Sequence, residues 1–372
     1  MDRARVWWRV GDRVRRQRRA YTRGGLLLLV SAAMLLGAWR TRGFASDLLL
    51  NLGASVVLAA ISYVIFDPLF EEARKARVQE HVSFDQKAFI DVLARTGRRV
   101  RILDTWTILL ELGHREQTLR AVRAALEQGA LIQVLLLDPD CAAAQQRTEE
   151  LEKQHVNVPR RIKENLRHLY SFWASLEGHL RSRLQIHIYD ASPSIQLYQW
   201  DGQALISFFP IGKLSFNVPQ LEVDMASPWG EFVHARFEEL WGHHQATLNL
   251  ERYWAAPMTL RHADSDMAKN RVPYALVDGQ VYVDCRTFHL TRDSIGTLTV
   301  RTPLPPRANG SGPGEFTLVE VREEDPTPLS LVRRRFQDKY GASPDRPDEG
   351  MLVRLVPSGG DPTDPPPPAP MG

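Results

Sequence analysis

The chain has 372 residues, is 44% hydrophobic and carries a net charge of only +3, which suggests two folded units with appendages rather than one ordinary core. The charge is lopsided: residues 1–23 hold nine arginines against Asp2 and Asp12, so the remainder is slightly acidic. That balance excludes a specific nucleic-acid role resting on overall charge, and two distant cysteines, Cys141 and Cys285, exclude a disulfide framework or a Cys/His metal cluster.

Residues 1–23 read as a basic cytoplasmic arm suited to anionic lipid headgroups. Gly24–Trp39 is uncharged over 16 residues and Leu48–Phe66 over 19; a membrane-crossing helix needs roughly 20. The first stretch has the outline of a signal peptide, but no small-x-small cleavage site precedes Arg40 and Arg42. The expectation is a two-helix transmembrane hairpin over residues 24–66 that anchors the chain in the lipid bilayer. Positive-inside bias then puts both ends in the cytoplasm, as a multi-pass protein of the inner membrane. No ionisable side chain lies inside either span, so the hairpin reads as an anchor rather than a transport path. Residues 67–81 read as a polar, helix-like stalk.

Over residues 82–248 the hydrophobic period alternates between strand and helix. Val100–Trp106 reads as a buried strand, Glu116–Gly129 as an amphipathic helix, and Leu131–Leu137 as a second apolar strand. Together they make a βαβ unit with a right-handed crossover. Helices are expected over Cys141–Gln154 and Pro159–Leu176, then a strand over Leu184–Tyr189. Ser194–Trp200 and Ala204–Phe209 flank the turn Asp201-Gly202, a strong hairpin signal, and a helix over Gly230–Leu248 closes the unit. This is an α/β domain with helices on both faces of a mixed sheet.

In open α/β sheets, ligands settle beyond the carboxyl ends of the strands. Asp104 and Thr105 follow one predicted strand end, and Asp138 and Asp140 follow another. Ser194, Gln196 and Lys213 could join them around a cleft. The bland alternatives are that Asp138-Pro139-Asp140 caps the next helix, that Asp201 is a turn residue, and that Tyr198, Trp200, Phe208 and Phe209 are core.

The succession RVRILDTW, helix, ALIQVLLLDPD, two helices, LQIHIYD, SIQLYQWDGQALISFF and FVHARFEELW resembles one unit of the phospholipase D-like superfamily. The resemblance covers about 150 residues by this alignment of elements. Active members carry H-x-K-x-x-x-x-D before the turn, with the histidine attacking phosphorus and the lysine holding phosphoryl oxygens. Matching Asp201 to that aspartate puts Gln196 at the lysine position and Ser194 at the histidine position. Neither can do the original job, and no second motif copy is present. The resemblance therefore implies a degenerate, membrane-anchored, non-catalytic sensor or scaffold that binds a phosphorylated ligand or forms a homodimer, since relatives generally pair their units. The alternative is a divergent membrane-associated phosphodiesterase recruiting His187 or His234. No cofactor is implied. The pair His243-His244 on the closing helix is no chelate, because successive helical residues point about 100° apart.

Residues 255–357 change to short strands and turns and read as a small β-rich α+β domain for protein contacts. Tyr274–Val277, Asp278-Gly279 and Gln280–Asp284 form a hairpin signal; Thr297–Arg301, Phe316–Val321 and Met351–Val356 read as strands. Pro303–Glu315 is a Pro/Gly-rich loop, and Leu329–Tyr340 a basic amphipathic helix. His262, Asp264 and Asp266 are loop residues rather than a metal site. Residues 358–372 are a Pro-rich tail expected to be disordered. The expected fold class is thus α/β: two N-terminal transmembrane helices, a phospholipase D-like α/β sandwich, and the small β-rich domain.

Overall fold

The computed structural model describes residues 32–34, 36–37, 39–40, 52–53, 55–57, 78–243, 247–262, 265–284, 298–303, 313–325, 327–341 and 351–358. The chain divides into two compact units, Met1–Arg77 and Val78–Gly372. In the first, the described residues are helical, but among the described residues no helix is long and apolar enough to cross a membrane. The expected two-helix transmembrane hairpin and the multi-pass inner-membrane location are therefore corrected. It rested on two charge-free runs, on the missing cleavage site and on positive-inside bias, and an apolar run is necessary for a span without being sufficient for one. The basic arm over residues 1–23 and most of residues 24–77 lie outside the described residues.

The second unit begins with an eight-stranded mixed sheet. Its elements in chain order are β1 (Gln79–His81), α1 (Gln86–Leu93), β2 (Arg99–Asp104), α2 (Arg115–Glu127), β3 (Leu131–Leu137), α3 (Ala142–Glu150) and α4 (Val158–Ser175). There follow α5 (Gly178–Arg181), β4 (Leu184–Tyr189), β5 (Gln196–Trp200), β6 (Gln203–Ser207), β7 (Gln220–Asp224), α6 (Pro228–Trp241), β8 (Thr247–Asn249) and α7 (Leu250–Trp254). The strand order is β1-β7-β6-β5-β2-β3-β4-β8. β2, β3 and β4 are parallel, joined by helical crossovers; every other pairing is antiparallel.

The central parallel strand β3 is a nearly continuous apolar run because both of its faces are covered. Leu135, Leu136 and Leu137 are fully buried, each contributing about 1.5–3 kcal/mol of transfer free energy. Asp201, at φ 43°, takes the left-handed turn position that Asp tolerates. Its Oδ1 accepts from the Arg98 and Arg99 amides, both at 3.1 Å, which pins the β5–β6 hairpin to the start of β2. The predicted closing helix is shorter than expected. Ser227 caps its start by accepting from Gly230 N at 3.1 Å, and it stops at Trp241 before Gly242, so Leu248 lies in edge strand β8. His243 lies beyond the helix, and His244 is outside the described residues. Gln79–His81, expected in a helical stalk, is instead an edge strand on β7.

The expected small β-rich α+β domain is a closed six-stranded antiparallel barrel with one long helix. It comprises β9 (Ala255–His262), β10 (Ser265–Val277), β11 (Gln280–Asp284), β12 (Leu298–Pro303), β13 (Pro313–Glu320), α8 (Leu329–Tyr340) and β14 (Leu352–Pro357). The order around the barrel is β10-β11-β14-β13-β12-β9. Alternating residues fill the interior, with Val272, Val283, Val300 and Val353 fully enclosed. Ala275, Val277, Tyr282 and Leu352 point outward, where Val332 and Phe336 of α8 cover them. The predicted hairpin around Asp278-Gly279 and the helix Leu329–Tyr340 are both present.

Candidate functional site

Register decides which side chains meet, because cross-strand partners share a face and neighbours along a strand do not. One row runs Ile188, Leu136, Asp104 across β4, β3 and β2, and continues through Gln196 and Ser207 on β5 and β6. The next row runs His187, Leu135, Leu103, Leu197 and Ile206 and faces the other way.

Asp104 is the centre of the first row. Its Oδ2 accepts from Gln196 Nε2 at 2.7 Å and from the Tyr198 hydroxyl at 2.7 Å, and its Oδ1 from Thr105 N at 2.7 Å. The network extends outward from there. The Thr107 hydroxyl lies 3.0 Å from that of Tyr198, and Ser207 Oγ lies 3.1 Å from both Gln196 Oε1 and the Ser215 carbonyl. Gln220 Nε2 donates to the same carbonyl at 2.8 Å. Asp104, Gln196, Tyr198, Ser207 and Gln220 are all buried. Phe84 stacks on Tyr198 at 4.5 Å and Phe89 meets its edge at 5.2 Å. Burial pushes the Asp104 carboxyl up to about 7, against the opposing effect of its three donors. Burial also raises the Tyr198 hydroxyl well above its ordinary range, and the Asp104 charge adds to that.

Of the seven residues expected to share a cleft, Asp104 and Gln196 meet through their side chains, and Thr105 joins them only through its backbone N–H. Ser194 is turned to α6, where its Oγ accepts from Arg236 Nε at 3.0 Å. Asp138 Oδ1 accepts from Asp140 N at 2.9 Å, and Asp140 pairs with Lys163 at 3.0 Å. The helix after this turn is capped by buried Cys141, whose Sγ accepts from Ala144 N at 3.3 Å. Lys213 is exposed; its carbonyl accepts from Arg147 Nη2 at 3.0 Å. The aromatic group divides too: Tyr198 is core, whereas Phe208 is exposed and Phe209 lies under the Arg147 guanidinium at 5.4 Å.

Neither candidate histidine reaches this place. His187 faces the opposite side, stacked on Trp241 at 3.9 Å and 9°, and burial lowers it to about 4, so its imidazole is neutral. His234 Nδ1 lies 2.7 Å from Arg101 Nη1. Arg101 is a buried cation in the middle of β2, pointing to the α6 side. It pairs with Glu238, donates to Gln133 Oε1 at 3.0 Å and lies over Phe237 at 4.5 Å. Burial lowers its pKa, with the Glu238 charge opposing.

Residues 76–209 match a family described as Domain of unknown function (DUF5919). None of the curated proteins matches. Among solved structures, TrmBL2, described as an archaeal chromatin protein with a novel mode of DNA binding, is 12% identical with a TM-score of 0.28, over 54% of this chain and 68% of that one. A phosphatidylserine synthase of Haemophilus influenzae Rd KW20 is 13% identical with a TM-score of 0.31, over 46% of this chain and 39% of the synthase. The chain therefore has a weak structural likeness to that synthase and spans well under half of its length.

Sequence reasoning missed Tyr198 as a partner of Asp104, and Ser207 and Gln220 as the outer members of its network, because only the register joins them. Arg101 and Arg147 were missed as well. Arg101 left a legible signal, a charge on the inward phase of the apolar strand RVRILD. Arg147 left none: its guanidinium ties the loop after β6 by donating to the Pro210 carbonyl at 3.0 Å, as well as to that of Lys213.

Proposed function

We propose that the eight-stranded sheet is a phospholipase D-like unit that has exchanged phosphoryl transfer for a scaffold role. The observation that supports this is the partner of Gln196. An amide stands where the chemistry needs an ammonium, and it is bound to a buried carboxyl rather than open to a phosphoryl group. Gln196, Tyr198 and Ser207 fill the place themselves. No imidazole nucleophile and no phosphate-holding cation is among them, so the phosphohistidine route of active members has no group to act through. The test incubates the full chain with bis(4-nitrophenyl) phosphate and with phosphatidylcholine vesicles. No turnover above buffer is expected; turnover that disappears in His187→Ala or Asp104→Asn would refute the scaffold reading.

A second reading, a receptor for a phosphorylated ligand, has one observation in its favour. The Thr105 and Tyr189 hydroxyls at the carboxyl ends of β2 and β4 are buried without hydrogen-bond partners, and Arg236 stands at Ser194 nearby in the fold. Calorimetric titration with inorganic phosphate, repeated on Arg236→Gln, tests it: saturable binding lost in the variant would favour the receptor.

A further inference from the structure

We propose that Lys339 is a proton-operated latch that holds the barrel against the eight-stranded sheet. Its ammonium position is sealed at the meeting of α7, β10 and α8. Nζ donates to the Tyr274 carbonyl at 2.8 Å and lies 3.6 Å from the Tyr274 ring centroid, 4.6 Å from that of Tyr253 and 5.2 Å from that of Tyr340. The Tyr253 hydroxyl beside it is buried without a hydrogen-bond partner. Among the described residues no carboxylate is recorded within ion-pairing distance of Nζ.

Several of the surrounding contacts join the two sheets. The Tyr340 hydroxyl lies 2.6 Å from the Trp254 carbonyl and accepts from Tyr274 N at 3.0 Å. Trp254 stacks on Tyr170 of α4 at 4.2 Å, and Arg167 of α4 donates to the Asp338 carbonyl at 2.9 Å. Asp140, in the turn after β3, is shared by Lys163 of α4 at 3.0 Å and Arg335 of α8 at 3.7 Å. The charged and titratable groups around the amine are therefore Tyr253 from α7, Tyr274 from β10, and Tyr340 and Arg335 from α8. The turn after β3 adds Asp138 and Asp140, and α4 adds Lys163 and Arg167.

Burial lowers Lys339 to about 7, with Asp140 and Asp138 pulling the other way and Lys163 adding to the fall. A separated junction returns the amine to water and to its ordinary value of 10.5. The closed junction thus favours the neutral amine and the open one the ammonium. Closure strengthens as pH rises from the closed value towards the open one, and is independent of pH below it.

The experiment is amide exchange of the full chain in the equilibrium regime, corrected for intrinsic chemistry. Opening of β10, α8 and α4 together should fall up to about tenfold per pH unit above about pH 7 and level off below it. Lys339→Met, neutral at every pH, should lose that slope. Asp140→Asn removes a charge favouring the ammonium and should move the levelling point to lower pH, which serves if the methionine variant does not fold. A flat wild-type profile, an unchanged slope in Lys339→Met, or a slope confined to α8 would overturn the latch.

Discussion

Asp104 makes the stability of the sheet fall as pH rises, and the size of the effect follows from its surroundings. Its carboxyl is lifted from 3.8 to about 7 by burial, so the folded chain keeps a proton that the unfolded chain releases. The stabilisation is complete below the unfolded value and is lost as pH climbs through the folded one. The shift corresponds to roughly 4 kcal/mol in all, of which about 2.5 kcal/mol falls between about pH 5 and pH 8. Asp104→Asn removes the titration. The asparagine oxygen can still accept from Gln196 and Tyr198, but its amide then meets the Thr105 N–H, a donor conflict costing about 1–3 kcal/mol. The variant should therefore be less stable than wild type near pH 5 and match or exceed it near pH 8. Urea denaturation followed by tryptophan fluorescence measures both. The other titrating groups cancel in the difference between the two proteins. A difference independent of pH would refute the argument.

Three further outcomes are expected. Arg101→Met removes the donor to Gln133 and the cation over Phe237, but Glu238 is half exposed and returns to water; the loss should be about 2 kcal/mol, read as a fall in Tm. Gly230→Ala drives a Cβ to 2.4 Å from the Asp224 carbonyl and the Met225 Cα, both backbone atoms. It should cost about 3 kcal/mol or more and leave little soluble protein. His187 is lowered to about 4 by burial, so its contribution is full above the unfolded value near 6.5 and is lost as pH falls towards 4; His187→Phe, which keeps the stack on Trp241, should resist acid better than wild type in a pH titration of near-ultraviolet circular dichroism.

The elements most legible in the sequence were those whose burial is two-sided. Leu131–Leu137 is a parallel strand covered on both faces, and such a run can be delimited to the residue; Leu184–Tyr189 alternates apolar and polar residues, the period of a half-covered strand. β7, QLEVD, has too few apolar positions to show a period, and three-residue β1 and β8 show none. Barrel closure was illegible because β10 carries Lys269, Asn270 and Arg271 in mid-strand, and only its last turn resembles a hairpin. The N-terminal apolar runs misled because composition measures hydropathy without measuring helix length. At the site, Asp104 and Gln196 were visible as strand-end residues. That they bind each other depends on β2 and β5 running in opposite directions, a fact of pairing across 92 residues of chain. Lys339 sat in a helix rich in exposed arginines, where nothing in the order of residues marks one cation as sealed.

The two sheets also dispose of their borders in different ways. The barrel returns its last strand to its first, leaving no open flank, and the mixed sheet ends on both sides in a strand of three residues. A foreign or misfolded chain seeking main-chain partners is offered a ladder of only a few rungs. Crowded or freshly synthesised copies are thereby discouraged from stacking edge to edge, a safeguard residing in brevity and closure rather than in net charge.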